Sequence, residues 1–502
     1  MESYDIEKHG EHAPTMTERS AVKLSIPQKA ASVKLATTEY QAAVRRKIDI
    51  AIVPFAALIF LFLNIDRANI GNARLASFEQ DLGLHGNDFN SVNSIFYLAY
   101  IIFDVPSNLL CKYIGPGWFL PILTIMFGLV SIASGWVNNY AQLAAVRFLL
   151  GVFECGMMPG LSYYMSRWYR RSELTFRLSI HISMAPLSGA VGGLLASGIL
   201  RIQNFGTFPA GSWRTIFVLE GVITVIVGVL VLIFLPDRPE TARFLNDEEK
   251  KVAIARVESE RVGGTFLLDQ MSWKKLWKGV ANPVTLSIAI VFLLETVTVQ
   301  GLVFFAPTIV RTIFPQATVV QQQLLTVPPY VFGVLCTLSM SYASWKQNTR
   351  QIFIVANAPP IMAGYLIFLA TRNWIARYVA MFLIASSAFT MAPLCHSQAA
   401  ANVSSDSARN MSIAVTMFFG NIGSMISTWA FQSWDGPDYH IGNGLNFATS
   451  STMMIVAIAI LFWMNWDNRK RDTKRGCVGL EGLSQKQVEE LEWKHPHFRW
   501  MP

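Results

Sequence analysis

Twelve mostly apolar stretches divide this chain, six on each side of a long polar interval. They run over residues 48–76, 92–110, 118–137, 141–165, 180–202 and 213–235, then 284–305, 324–343, 352–370, 378–399, 412–431 and 445–466. At about 1.5 Å of rise per residue, a helix of ~20 residues crosses the ~30 Å hydrocarbon core of a bilayer. The pattern predicts an all-α membrane protein with twelve transmembrane helices in two six-helix halves, 48–236 and 281–466. Composition agrees, because 52% of the 502 residues are hydrophobic and only 15% are charged, against about 25% charged in soluble domains. A single soluble core could not bury that much apolar surface.

A net charge of +8 would suit nucleic acid, but the basic residues gather at 45–47, 167–177 and 469–475. There they act as topology signals, so no nucleic-acid partner is expected and both termini and the linker 237–280 are predicted in the cytosol. Arg311, Arg372 and Arg377 fall near the outside, so the second half obeys the rule less cleanly. Residues 1–47 carry no apolar core and read as a disordered cytosolic tail, and 467–502 as a second cytosolic tail. Asn246 and Glu249 match a capping box that opens a surface helix in the linker, whose charges read as a solvated face. The five cysteines form no CxxC motif; no disulfide, metal or cofactor is expected.

The first stretch turns polar without stopping, through Asn64, Asp66, Arg67, Asn69 and Asn72. A charge at that depth costs at least about 2.5–3.5 kcal/mol and is tolerated only facing other helices or a water-filled cavity. The alternative is a helix ending at Leu63, with Asp66 and Arg67 in a loop. No Pro, and no Gly before Gly71, marks such an end. In the fourth stretch Arg147 and Glu154 stand seven residues apart, about 10 Å of rise with about 20° of drift, so they share a face. They are either a structural ion pair or part of a transport site.

The second stretch holds Tyr97, Tyr100, Asp104 and Pro106, and the sixth holds Glu220. After the linker the polar candidates are Glu295, Gln300, His396 and Asn421. Gln300, seven residues before Pro307, lies at a depth where it could meet substrate. Glu295 is either functional or paired with a neighbouring helix. His396 is either a proton relay or a buried, hydrogen-bonded histidine. No nucleophile–base arrangement or metal cluster stands out, so an enzyme is not expected.

Five stretches, NIDRANIGNA, FYLAYIIFDVPSNLL, RFLLGVFECGMMPG, WRTIFVLEG with LPDRPE, and LLTVPPY, resemble the major facilitator superfamily. Within it they resemble the anion:cation symporter family, and with the ending HPHFRW its fungal permeases for nicotinate, allantoate, pantothenate and similar carboxylates. The resemblance spans residues 46–467 and the extreme C-terminus. It implies the major facilitator fold, and a monomeric plasma-membrane permease among lipid that takes up a small organic anion with protons. It implies proton coupling at Asp66 and Glu154 and carboxylate binding at Arg67. Arg147 would partner Asp66 or the anion, Tyr100 would contact substrate, and Gln300 and Asn421 would line the cavity.

Two loops depart from the family pattern. Ser344-Trp345-Lys346 stands where relatives commonly read Ser-Asp-Arg, and CKYIGPGW keeps one lysine. Such loops help hold the outward-open state in the superfamily, so gating is where this chain differs. An exporter of an acidic secondary metabolite on the same scaffold, and a non-transporting nutrient receptor, are the alternatives. Short tails and intact acids count against the receptor.

Overall fold

Polar caps start the apolar helices and turns end them. The Asn139 side chain accepts from the Gln142 amide, Asn282 from those of Val284 and Thr285, and Asn373 from that of Ile375; each satisfies backbone donors that a helix start leaves open. Thr318 and Gln321 form a reciprocal capping box. The resulting computed structural model describes residues 38–169, 171–202, 212–259, 273–403, 406–473, 492–495 and 498–502.

Twelve spans follow in order: α1 Glu39–Leu75, α2 Asp88–Ile114, α3 Pro116–Ser134, α4 Tyr140–Ser166, α5 Ile180–Ile199, α6 Trp213–Phe234, α7 Pro283–Ile313, α8 Val319–Gln347, α9 Gln351–Ala370, α10 Trp374–Ala401, α11 Met411–Thr428 and α12 His440–Thr473. Eleven are long and apolar enough to cross a membrane as single helices. The twelfth, α2, bends at Asp104–Pro106, where proline removes a backbone donor and crowds the preceding turn. α1–α6 pack mainly among themselves, as do α7–α12. The two groups meet chiefly through α5 with α8, α2 with α11 and α1 with α7.

The tail expected over residues 1–47 needs correction at its end. Residues 1–37 lie outside the described residues, but 38–47 belong to α1. The extension is held because Val44 is buried, Arg45 pairs with Glu173 at 3.3 Å and Lys47 with Glu249 at 2.6 Å. Asp49, one turn on, takes a two-pronged contact from Arg177 at 2.6 and 2.7 Å. The linker charges are likewise not a solvated face throughout. On the linker helix Asp247–Ser259, Glu249 and Arg256 are buried, and Arg256 meets Glu173 at 2.7 Å.

The α2–α3 loop with its single lysine is held by backbone instead. Asp237, in the LPDRPE stretch, accepts the Gly117 N–H at 2.9 Å and lies 3.6 Å from Arg167. Only glycine fits there, since a Cβ on Gly117 would stand 2.4 Å from the Asp237 Cα. The α8–α9 loop, which lacks its acid, is held by the chain's last residues. The Pro502 carbonyl accepts the Arg350 N–H, the Met501 carbonyl accepts from Gln398 and Asn402, and Trp500 hydrogen-bonds Asn468 and Asp467. Each such bond contributes about 0.5–1.5 kcal/mol, and burying the Trp500 ring adds to them. Deleting residues 498–502 should therefore lower the melting temperature by several degrees, and Trp500→Ala by less. An unchanged melting temperature in detergent would contradict this clasp.

On the opposite face the loop before α12 is tied by Asp438, which accepts from Arg377 at 2.7 Å and from Arg372. These bonds account for two of the arginines that break the positive-inside pattern. The hydrogen bond from Arg377 leads in holding the Asp438 carboxyl below its ordinary value of 3.8. Its stabilisation is therefore complete above that value and is lost as pH falls through the lower folded value. Asp438→Asn should destabilise the protein at neutral pH, with the deficit shrinking on acidification below about pH 4. A deficit constant from pH 7 to pH 3 would contradict the assignment.

Candidate functional site

The site begins with the polar end of α1, which is helix rather than loop. Asn64 donates to the Phe60 carbonyl one turn back at 2.7 Å, and the helix runs on unbroken past Arg67. Arg67 lies eight residues from the end of α1, roughly 12 Å along the axis, so it is held by helix on both sides.

Arg67 reaches across to α4. Its Nε donates to the Glu154 Oε2 at 2.7 Å, with the carboxylate fully buried. Two aromatic rings of α2 flank the guanidinium, Tyr100 at 5.0 Å and Phe96 at 5.6 Å, close enough for cation–π attraction. α2 can come this near because α4 has Gly151 between its two charged residues. A Cβ there would lie 2.4 Å from the Phe96 carbonyl oxygen. The pair is incompletely satisfied, for the Arg67 Nη2 and the Glu154 Oε1 are buried without a hydrogen-bond partner. In a low-dielectric interior such groups are costly unless something else meets them.

Asp66 lies beside the pair. It accepts a short hydrogen bond from Ser131 of α3, and its second oxygen has no partner. Glu154 adjoins it, and Arg147 acts electrostatically on both acids. Arg147 itself is buried, with its guanidinium 5.9 Å from the Phe217 ring. Beyond Asp66 the cluster continues into Asn69 and Glu220, which face one another and whose side-chain polar atoms are buried.

The structure thus gathers Asp66, Arg67, Arg147, Glu154 and Tyr100 around one buried point. It corrects the pairing suggested within α4. Arg147 and Glu154 share a face, but no ion pair joins them among the described residues; Glu154 belongs to Arg67. Helical periodicity says which side chains point together, not which neighbouring helix meets them. Ser131, Asn69, Phe96 and Glu220 join the cluster without a sequence signal strong enough to single them out, except that Glu220 is an acid inside an apolar run.

The α7–α12 candidates stand apart. Gln300 is half-buried with its Oε1 unpartnered, and Asn421 is half-buried on α11. No hydrogen bond joins either to the α1–α4 cluster among the described residues. Glu295 is buried with one oxygen unpartnered, and no ion pair reaches it among the described residues. His396 donates from Nδ1 to the Ala392 carbonyl at 2.6 Å, and its Nε2 sits 3.2 Å from the Met417 sulfur. It is a buried, hydrogen-bonded histidine.

Several contacts between the two helix groups lie toward the end opposite the linker. Ser94 of α2 meets Thr428 at 3.1 Å and accepts from Trp429 at 2.8 Å. Gln323 of α8 donates to the Asn72 carbonyl at 3.2 Å. Tyr97 faces Phe304 of α7 at 6.3 Å between ring centres. The charged cluster lies on the linker side of these contacts.

Known proteins resemble this chain in sequence and fold. The profile of the Major Facilitator Superfamily matches residues 56–428. An uncharacterized transporter of Schizosaccharomyces pombe is 30% identical over 91% of this chain and 89% of its own. The high-affinity nicotinic acid transporter of Saccharomyces cerevisiae is 28% identical over 91% of this chain and 84% of its own. Among solved structures, the proton:xylose symporter XylE superposes with a TM-score of 0.63, at 14% identity over 82% of this chain and 94% of that one. A bacterial Spinster homolog in an inward-facing conformation gives 0.61, at 13% identity over 85% and 97%. At such identities these two structures speak to the fold alone.

Proposed function

This chain belongs to the Major Facilitator Superfamily, a multi-pass membrane transporter rather than an enzyme, and on that premise we propose that it takes up a small organic carboxylate together with protons. The observation that carries the reading is the Arg67–Glu154 pair, a half-buried cation whose buried counter-charge is titratable and whose Nη2 is buried without a partner. Arginine stays charged at any working pH and offers a planar fork that matches a carboxylate. A substrate carboxylate arriving at that fork competes with Glu154 for it. Glu154, left in a buried site without its partner, is then best neutralised by a proton, since an unpaired buried charge is costly. Substrate and proton binding thereby favour one another, and the coupling is reciprocal. The likeness to a fungal transporter named for nicotinic acid supports the class of substrate.

In this reading the two helix groups are rocking halves around the midplane. The linker, both termini and the C-terminal clasp face the cytosol of a cell whose plasma membrane holds the protein. Tyr100 lies against the substrate, and Asp66 with Arg147 forms a second, proton-accessible pair. Gln300 and Asn421 close the cavity from the opposite half as that half swings in.

The test is uptake of radiolabelled carboxylates, beginning with nicotinate, by purified protein in vesicles with an imposed pH gradient. Accumulation of at least one carboxylate should follow the gradient and collapse when a protonophore dissipates it. Accumulation indifferent to the gradient would remove the proton from the mechanism, and net movement only outward would make the protein an exporter.

A further inference from the structure

The sequence of α1 repeats its charged position. Arg74 follows Arg67 by seven residues, about 10 Å further along the same helix face, toward the end opposite the linker. Its surroundings repeat too. As Arg67 pairs with Glu154 beside Phe96, Arg74 pairs with Glu79 at 2.8 Å and lies 4.4 Å from the ring of Phe89, seven residues before Phe96 on α2. Phe305 of α7 completes the second setting at 5.7 Å.

Arg74 opens onto a cavity of about 710 Å³ between the two helix groups. Glu79 lines it with Arg74 from the first group, and Thr308, Arg311 and Tyr439 from the second. Arg311 is exposed, and no carboxylate lies within ion-pairing distance of it among the described residues. The cavity thus holds two cations, one from each group, against one lining carboxylate. Tyr439 adds an aromatic surface, on which Arg74 and Arg311 act electrostatically, as do the carboxylates of Glu79 and of Asp435, the latter outside the lining. A cavity with an excess of one charge concentrates the opposite ion and raises its arrival rate.

We propose that this vestibule is a second binding site for small organic anions. Arg311 takes the carboxylate and Tyr439 the apolar body, one helical step above Arg67. The inference rests on the organic-anion reading for what passes through, but the vestibule's own preference for anions does not depend on transport. Arg74 is already paired with Glu79, so Arg311 is the residue that sets the preference.

Two measurements test it on the full-length protein. In detergent, a Thr308→Cys variant places a thiol in the cavity wall. A negatively charged methanethiosulfonate should modify it about fivefold faster than a positively charged one, each rate being scaled to its reaction with free cysteine and corrected for the native thiols. Adding Arg311→Gln should erase that preference, and adding Arg311→Lys should retain it. In vesicles, Arg311→Gln alone should raise the KM for nicotinate roughly three- to tenfold at unchanged maximal rate. Equal rates for the two reagents, or a preference that survives Arg311→Gln, would overturn the site. So would an unchanged KM in protein that carries nicotinate. A charge preference that depends on Arg311 in protein that carries no carboxylate would uphold the vestibule and defeat the transport reading.

Discussion

Arg67→Lys is expected to cut carboxylate uptake by a factor of about ten to a hundred, although it keeps the positive charge. Charge-assisted hydrogen bonds contribute about 1.5–3 kcal/mol each, and a factor of ten corresponds to about 1.4 kcal/mol. The loss comes from geometry. The guanidinium bonds Glu154 through Nε at 2.7 Å and still holds Nη2 without a partner. A substrate carboxylate that displaces Glu154 can therefore take Nε and Nη2 together. A lysine ammonium is a compact point charge with no such edge, and it stacks less well between Tyr100 and Phe96. The defect should appear mainly in the KM, because what is lost is a contact to the bound anion. Uptake measured across substrate concentrations, with protein amount fixed, decides the matter. Wild-type uptake by the lysine variant would refute a forked contact at Arg67.

The spans were legible because bilayer thickness forces a length and an apolar content on each of them. The polar end of α1 was legible for the same reason, since Asp66 and Arg67 are too costly there to be incidental. What opposes them was not. The partner of Glu154 is set by how α4 packs on α1 and α2, through Gly151 among others, and a lone sequence does not record which helices touch. The ends of helices were misjudged where charge replaces apolar content as the glue. Thus 38–47 looked like tail, yet Lys47 and Asp49 bind Glu249 and Arg177. Nor does the missing acid after α8 announce what stands near that loop, where residues 500–502 supply main-chain carbonyls and an indole. The function of a short terminal stretch cannot be read until its docking site is known.

Glu154→Gln is the sharpest separation between a coupling role and a structural one. Glutamine keeps the shape and the acceptor oxygen, so Arg67 can still donate its Nε–H, but the counter-charge is gone for good. If Glu154 carries the coupled proton, the variant is fixed in its protonated form. Substrate exchange across the membrane should then persist, because exchange moves no net proton. Accumulation against a gradient should fall to the equilibrium level, a loss of the whole pH-driven factor. Arg67, no longer neutralised, should bind the anion more tightly, so added nicotinate should protect the variant against heat more than it protects the wild type. If Glu154 only anchors Arg67, the outcome is different. Removing one partner of a buried ion pair costs about 3–5 kcal/mol, and exchange, accumulation and folding yield should all decline together. Asp66 adjoins Glu154 and keeps its bond from Ser131, so the same pair of measurements on Asp66→Asn separates the two acids. Pairing exchange with accumulation in the same vesicles gives the answer. Wild-type accumulation in the Gln variant would end the case for Glu154 as the coupling acid and move it to Asp66.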